Sequence, residues 1–327
     1  MARRLAPLAL IPLLLLAGCA PSPAAPTTPS PSAETASYPL TFSNCGFEVT
    51  IPEPPKRVVT IKSTSTEMML ALGVGNRIVG TAYQDGPVPE QWADAGDAIP
   101  SIAEKLPSEE VTLEQTPDLV YAGWESAFTP DTAGDRAELA SLGVASYVQP
   151  AACQSAEQPA KLTFDEVFRE IEQAGDIFGV PEAAAELVAA QKEQLAAIQP
   201  ATGSPTALWW SSGVDTPYVG AGIGAPELLL ETAGLTNIAA DVRSTWAPLG
   251  WEAIIAANPD VLVLVDSSWN SAQKKMDYLA SNPATAALPA VQHKRYVIIP
   301  FASSEAGVRS VEAAASIAAQ LQGLDLP

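Results

Sequence analysis

The sequence predicts an α/β protein of two lobes, each a Rossmann-like, parallel-rich sheet, joined by one long rigid helix. Three features carry this prediction: apolar β-rich runs alternating with helical segments, an almost unbroken helical stretch in mid-chain, and a phrase that occurs once on either side of it. Short strands alternating with helices are the pattern of a parallel sheet covered on both faces.

The first lobe is assigned to residues 38–180. Its strands are expected at Val58–Ile61, Ile78–Gly80, Leu119–Ala122 and Ser146–Val148, each a short apolar run bounded by turn residues. Helices are expected between them at Glu67–Leu72, Glu109–Gln115 and Asp135–Leu142, stopped by Gly73, by Thr116-Pro117 and by Gly143. From Thr163 to Gln199 the helical signal breaks only at Phe178-Gly179-Val180, where Pro181 suits the first turn of a new helix. Within that second piece, the linking helix of residues 181–200, the run Glu182–Ile198 makes a rod of roughly 25 Å at about 1.5 Å per residue. The second lobe, 201–327, restarts the alternation with strands at Ala207–Trp210, Val261–Val265 and Tyr296–Ile299. Its helices are expected at Pro226–Ala233, Trp251–Ala257 and Val311–Leu321.

The repeated phrase is EVTLEQTPDLVYA (Glu110–Ala122) and EAIIAANPDVLVL (Glu252–Leu264). In each, a glutamate opens a short apolar segment, Pro-Asp follows, and a run suited to a buried strand comes next. A looser echo, EMMLALG from Glu67 and ELLLETAG from Glu227, precedes each phrase in the same order. The second lobe therefore repeats the plan of the first.

The chain has 327 residues, 47% of them hydrophobic, enough for two cores. Seventeen Lys+Arg stand against thirty-seven Asp+Glu, a net charge of -20 with no basic stripe. A nucleic-acid backbone would be repelled, so no nucleic-acid partner is expected. Enzyme motifs are sparse: the one histidine, His293, sits in the turn-like stretch Gln292-His293-Lys294-Arg295, and there is no nucleophile elbow, phosphate loop or metal-spaced Cys/His cluster. No enzyme, cofactor or metal is expected; a carboxylate-based hydrolase is the alternative from another class.

Arg3-Arg4 followed by an apolar run from Leu5 to Leu16 reads as a secretory leader, residues 1–18. It closes on Leu16-Ala17-Gly18-Cys19, which resembles the lipobox of bacterial lipoproteins and implies acylation of Cys19. Residues 19–37 are rich in Pro, Ser and Thr, a tether whose extended reach is about 50 Å at about 3.1 Å per residue. These features place the folded part outside the membrane, anchored by lipid to its outer face. Cys45 and Cys153 are then expected to pair, with two free buried thiols as the alternative.

In open sheets of this kind ligands bind beyond the carboxyl ends of the strands, and two such edges would face each other across a cleft. Lys62, Ser63 and Thr64 follow the first strand and lead into a helix, either as an anion cradle or as part of a run capped by Ser65 or Thr66. Tyr83, Trp124, Trp210, Tyr218, Trp246 and Trp269 lie in or beside post-strand loops, where aromatic faces suit a planar or ring-rich ligand. Arg243 and Arg309 are further candidate anion partners, whereas Trp251 is expected to pack its own helix.

Taken together, the lipobox, tether, doubled α/β plan and linking helix resemble the substrate-binding lipoproteins of ABC importers in the iron-siderophore and cobalamin class, the class III periplasmic binding proteins. The resemblance implies a monomer that holds a small molecule between its lobes, closes by a small hinge motion and delivers the molecule to a permease dimer. It also implies that Glu110 and Glu252 dock into arginine pockets on that permease. A purely local account of the two glutamates is that a helix dipole favours acid in the first turn. RVVTIKSTSTEMMLALG from Arg57, DLVYAGWES from Asp118, LWWSSGVDTPYVGAGIGAPELL from Leu208 and GLTNIAADV from Gly234 look like an actinobacterial group proposed to bind a precursor of the deazaflavin coenzyme F-420. A ferric siderophore or a corrinoid is the alternative ligand. Haem is disfavoured because the histidine is poorly placed, with Tyr83 and Tyr218 the residues that would keep it open.

Overall fold

The computed structural model describes residues 37–154 and 160–327. The expected leader, Cys19 and all but the last residue of the tether lie outside the described residues. A hairpin of β1 (Leu40–Asn44) and β2 (Phe47–Ile51) comes first. It precedes a sheet of β3 (Val58–Ile61), β4 (Ile78–Ala82), β5 (Ser101–Ala103), β6 (Leu119–Ala122) and β7 (Ala145–Val148). The strand order is β5-β4-β3-β6-β7 and every pairing is parallel. The crossovers carry α1 (Ser63–Ala71), α2 (Ala93–Asp97), α3 (Glu109–Glu114) and α4 (Arg136–Ser141).

Two long helices follow, α5 (Phe164–Phe178) and α6 (Pro181–Ala197). A capping box between Thr163 and Glu166 starts α5, Gly179 ends it at φ 67°, and Pro181 opens α6. The linking helix is bound into the second half of the chain: Gln191 is buried and its Nε2 donates to the Val308 carbonyl at 2.8 Å.

The second sheet holds β8 (Thr206–Ser212), β9 (Tyr218–Gly220), β10 (Thr236–Asn237), β11 (Trp246–Pro248), β12 (Val261–Asp266) and β13 (Tyr296–Pro300). Its order is β11-β9-β8-β12-β13, with the short β10 also paired to β8. Around it pack α7 (Ala225–Thr232), α8 (Trp251–Ala257), α9 (Ala272–Ser281), α10 (Pro283–Ala286), α11 (Pro289–Gln292) and α12 (Ser310–Leu321). The core strands β10, β8, β12 and β13 run parallel, but β9 pairs antiparallel with β8 and with β11, so this sheet is mixed.

The doubled phrase has a structural reason. Asp118 accepts from the backbone N–H groups of Lys56 and Arg57 at 2.7 and 3.0 Å, just ahead of β3. Asp260 accepts from Thr206 N and Oγ1 at 2.8 and 2.9 Å, at the start of β8. Each aspartate immediately precedes one inner strand of its sheet and ties down the start of the neighbouring one through charge-assisted hydrogen bonds. The glutamates of the looser echo are both buried and are neutralised by cations from the opposite half of the chain: Arg309 Nη1 lies 3.4 Å from Glu67, and Lys161 Nζ lies 3.2 Å from Glu227.

Cys45 and Cys153 form a disulfide with Cα atoms 5.1 Å apart, closing a separation of 108 residues. One continuous apolar cluster runs from Val58 and Leu119 in the first sheet through Phe178, Ala184 and Val188 to Trp209, Val263 and Ile317 in the second half. Smaller clusters cover the outer face of each sheet.

Candidate functional site

A cleft of about 470 Å³ lies where the carboxyl edges of the two sheets meet. The first half contributes Thr64 after β3, Tyr83 after β4, Gly123 and Trp124 after β6, and Gln149 after β7. From the second half come Ser212 at the end of β8, Tyr218 on β9, Trp246 on β11, Trp269 after β12, and Phe301, Glu305 and Ala306 after β13. Residues just beyond the ends of β3, β4, β6, β7, β12 and β13 thus reach the same space, because parallel strands all end on one side, and the end of β8 with β9 and β11 completes the lining.

The aromatic lining is arranged in three pairs. Tyr83 and Trp124 meet edge to face at 5.6 Å, Tyr218 and Trp246 are stacked with planes 19° apart and centroids 6.4 Å apart, and Trp269 and Phe301 meet edge to face at 5.6 Å. Trp269 and Tyr218 still leave 56% and 43% of their surfaces open to solvent, so each of their pairs keeps apolar ring surface exposed.

The floor is electrostatic. Lys62 is only 1% exposed and is ion-paired to the buried Asp85, with its ammonium 3.7 Å from the ring centre of Trp124 and 4.4 Å from that of Tyr83. Its backbone lies at φ 78°, ψ 154°, a region that glycine alone adopts without strain. Asp85 also accepts from Ser63 N at 3.3 Å, while its own N–H donates to Ser63 Oγ at 2.9 Å. Lys62 and Ser63, expected to face a ligand anion, are thus engaged by the chain's own carboxylate, Asp85. Glu305 lies beside it: its carboxyl accepts from Trp124 Nε1 at 2.8 Å across the cleft floor, and burial pushes its pKa up to about 7 against the opposing pull of Lys62. Thr64 Oγ1 is buried without a hydrogen-bond partner.

Of the residues expected to contact ligand, Thr64, Tyr83, Trp124, Tyr218, Trp246 and Trp269 line the cleft together. Lys62 and Ser63 lie beneath the lining, engaged with Asp85. Trp210 does not reach it. It is fully buried on the other face of β8, packed edge to face on Trp251 at 5.1 Å and on Tyr278 at 6.0 Å. Arg243 is exposed outside the lining, and Arg309 is paired to Glu67. The sequence reading passed over Asp85, Gln149, Phe301 and Glu305. Gln149 also links the cleft to a buried network, donating from Nε2 to Glu170 at 2.6 Å and accepting from Tyr121 at 2.5 Å. Burial raises the Glu170 carboxyl to about 7. Glu110 and Glu252 are both exposed, in the first turns of α3 and α8.

Comparison with known proteins agrees with this geometry. An uncharacterized ABC transporter substrate-binding lipoprotein, YvrC, of Bacillus subtilis is 25% identical over 325 residues, covering 94% of this chain and 93% of that one. A cobalamin-binding protein of Halobacterium salinarum is 27% identical, covering 77% and 67% respectively. The crystal structure of an ABC-type Fe3+-hydroxamate transport protein from Saccharomonospora viridis superposes with a TM-score of 0.75 at 30% identity, covering 87% of this chain and 99% of that one. The family model described as periplasmic binding protein matches residues 58–302, which is most of the chain, and with the two-sheet cleft this places the chain in the periplasmic binding protein family.

Proposed function

We propose that the protein captures a small ring-rich solute or metal chelate in the cleft between its two sheets and delivers it to the paired permease subunits of an ABC importer. The observation that carries this reading is the convergence of three aromatic pairs, one from the first half and two from the second, on a single cleft at the strand ends. The lobes are taken as residues 38–180 and 201–327 with the linking helix between them, working as a monomer tethered through lipidated Cys19 on the outer face of the membrane. Among the described residues no helix is long and apolar enough to cross a membrane.

For the ligand, the motif resemblance puts forward a deazaflavin precursor. The names of the Saccharomonospora and Halobacterium relatives put forward a ferric hydroxamate or cobalamin. Native mass spectrometry with absorbance and fluorescence of the domain from Tyr38 onward, challenged with all three, decides among them. Docking is assigned to Glu110 and Glu252, one exposed carboxylate per half, since two matched contacts suit a paired membrane partner and charge pairs fix register. Replacing both by alanine is expected to leave ligand affinity within about twofold and to lower uptake at least tenfold. Uptake at the wild-type rate would remove the docking assignment and leave ligand capture standing.

A further inference from the structure

The cleft wall carries aromatic rings, hydroxyls and amides, but its charge is one-sided. Among the described lining residues Glu305 is the only ionisable side chain besides the phenols of Tyr83 and Tyr218. The nearest cation, Lys62, is already committed: its ammonium is paired to Asp85 and covered by the faces of Trp124 and Tyr83. With Asp85 cancelling Lys62, the carboxyl of Glu305 is left as the uncompensated charge at the floor. The wider field has the same sign, since the whole chain carries -20 and a cleft with low-dielectric walls focuses such a field. Thr64 supplies the second observation. Its Oγ1 is buried, lacks any partner and borders the cleft, so it is free to bond a polar atom of a bound molecule.

We propose that this cleft selects its ligand by charge, taking ring-rich molecules or chelates whose inserted face is neutral or cationic and rejecting polyanionic ones, with Glu305 as the selecting residue and Thr64 as a hydrogen-bond partner. The proposal rests on the binding-protein reading above and narrows it. It turns away a phosphorylated deazaflavin, a tricatecholate iron complex and a dicarboxylate porphyrin. It admits an unphosphorylated deazaflavin, a corrinoid with intact amides, and a neutral or positively charged ferric hydroxamate. The aromatic pairs serve both groups equally, so the carboxyl decides between them. A cation over these faces would gain from the same ring quadrupoles that already hold Lys62.

Pairs of ligands that differ only in charge test this: a ferric trihydroxamate with a pendant ammonium against one with a pendant carboxylate, a deazaflavin without and with phosphate, and a corrinoid with its amides intact against its monocarboxylate. Titration calorimetry at pH 8 is expected to show the less negative member of whichever pair binds at least tenfold tighter. For the hydroxamate pair that preference should shrink several-fold at pH 5.5, where Glu305 holds its proton, and similarly in Glu305→Gln, whose amide oxygen still accepts from Trp124. Equal or tighter binding of the more negative member overturns the proposal, as does a preference indifferent to both pH and Glu305→Gln. Absence of binding by any pair overturns the solute-binding reading itself, so the two failures are told apart.

Discussion

The two halves of the chain share a framework and differ where they meet the cleft. Both begin an inner strand that an aspartate from the Pro-Asp phrase ties down, Asp118 for β3 and Asp260 for β8. Both place a buried glutamate on the helix after that strand and neutralise it with a cation from the other half, Arg309 for Glu67 and Lys161 for Glu227. The sheets then diverge. The first is wholly parallel and reaches the cleft only through residues beyond its strand ends, whereas the second adds β9 and β11, joined by antiparallel pairing, whose Tyr218 and Trp246 line the cleft directly. The doubled elements hold each sheet together, and the asymmetric ones shape the site.

Breaking the comparison is expected to have its largest effect at the disulfide, which the first half alone contains. Cys45→Ser with Cys153→Ser removes a closure of 108 residues and should cost roughly 2–5 kcal/mol in chemical unfolding. A cost below about 1 kcal/mol would mean that the β1–β2 hairpin and the loop after β7 are held by other contacts. Next comes the reciprocal ion pair. Arg309→Met removes the partner of the buried Glu67 carboxyl, which burial raises to about 8 and which can then hold a proton, so the loss should be roughly 1–3 kcal/mol. Lys161→Met should cost less, because its side chain remains 44% exposed and Asn237 Nδ2 also bonds Glu227 at 2.9 Å. Equal losses would show that the pairs are equivalent in energy as well as in position.

Asp118→Ala and Asp260→Ala sharpen the shared part, since each removes a carboxylate that accepts two hydrogen bonds. Each should cost roughly 1.5–3 kcal/mol, and closely matched costs would mark the phrase as one structural device used twice. The pH dependence draws on both halves. Glu67, Glu170 and Glu305 sit at about 8, 7 and 7, all raised by burial above the unfolded carboxyl value of about 4.3. The folded state therefore holds protons that the unfolded chain releases. Their contribution to stability is complete below the unfolded value and is lost as pH rises through 7 to 8. The thermal midpoint should fall between pH 5 and 8.5, and Glu305→Gln should flatten part of that slope.

Much of the framework could be read from residues alone. The limits of β3, β6 and α8, and the break between α5 and α6, follow from apolar runs bounded by Gly, Pro and capping residues. The antiparallel edge could not, because Tyr218–Gly220 and Trp246–Pro248 are three residues each and contain the Gly and Pro that ordinarily mark turns. Trp210 was misplaced for a different reason. β8 is buried on both faces, so its alternation does not say which tryptophan faces the cleft side and which faces outward; Trp209 joins the central cluster and Trp210 the outer one. Glu305 and Asp85 lie in loops of ordinary polar composition, and only their proximity to Lys62 and Trp124, distant in sequence, reveals them.

The apolar cluster that runs unbroken through both sheets and the two long helices makes the molecule its own assay. With Phe178, Val188, Trp209 and Val263 in one packed body, melting either half would expose apolar surface of the other, and the two are expected to melt together. Heat is then expected to remove the cleft and the rest of the structure in a single step, which calorimetry would show as one transition. A solute that binds only the native form adds its whole binding free energy to that step, about 2.7 kcal/mol at a hundredfold excess over Kd. Melting temperature alone can therefore rank ligands across a large chemical library before any one of them is labelled, coloured or transported.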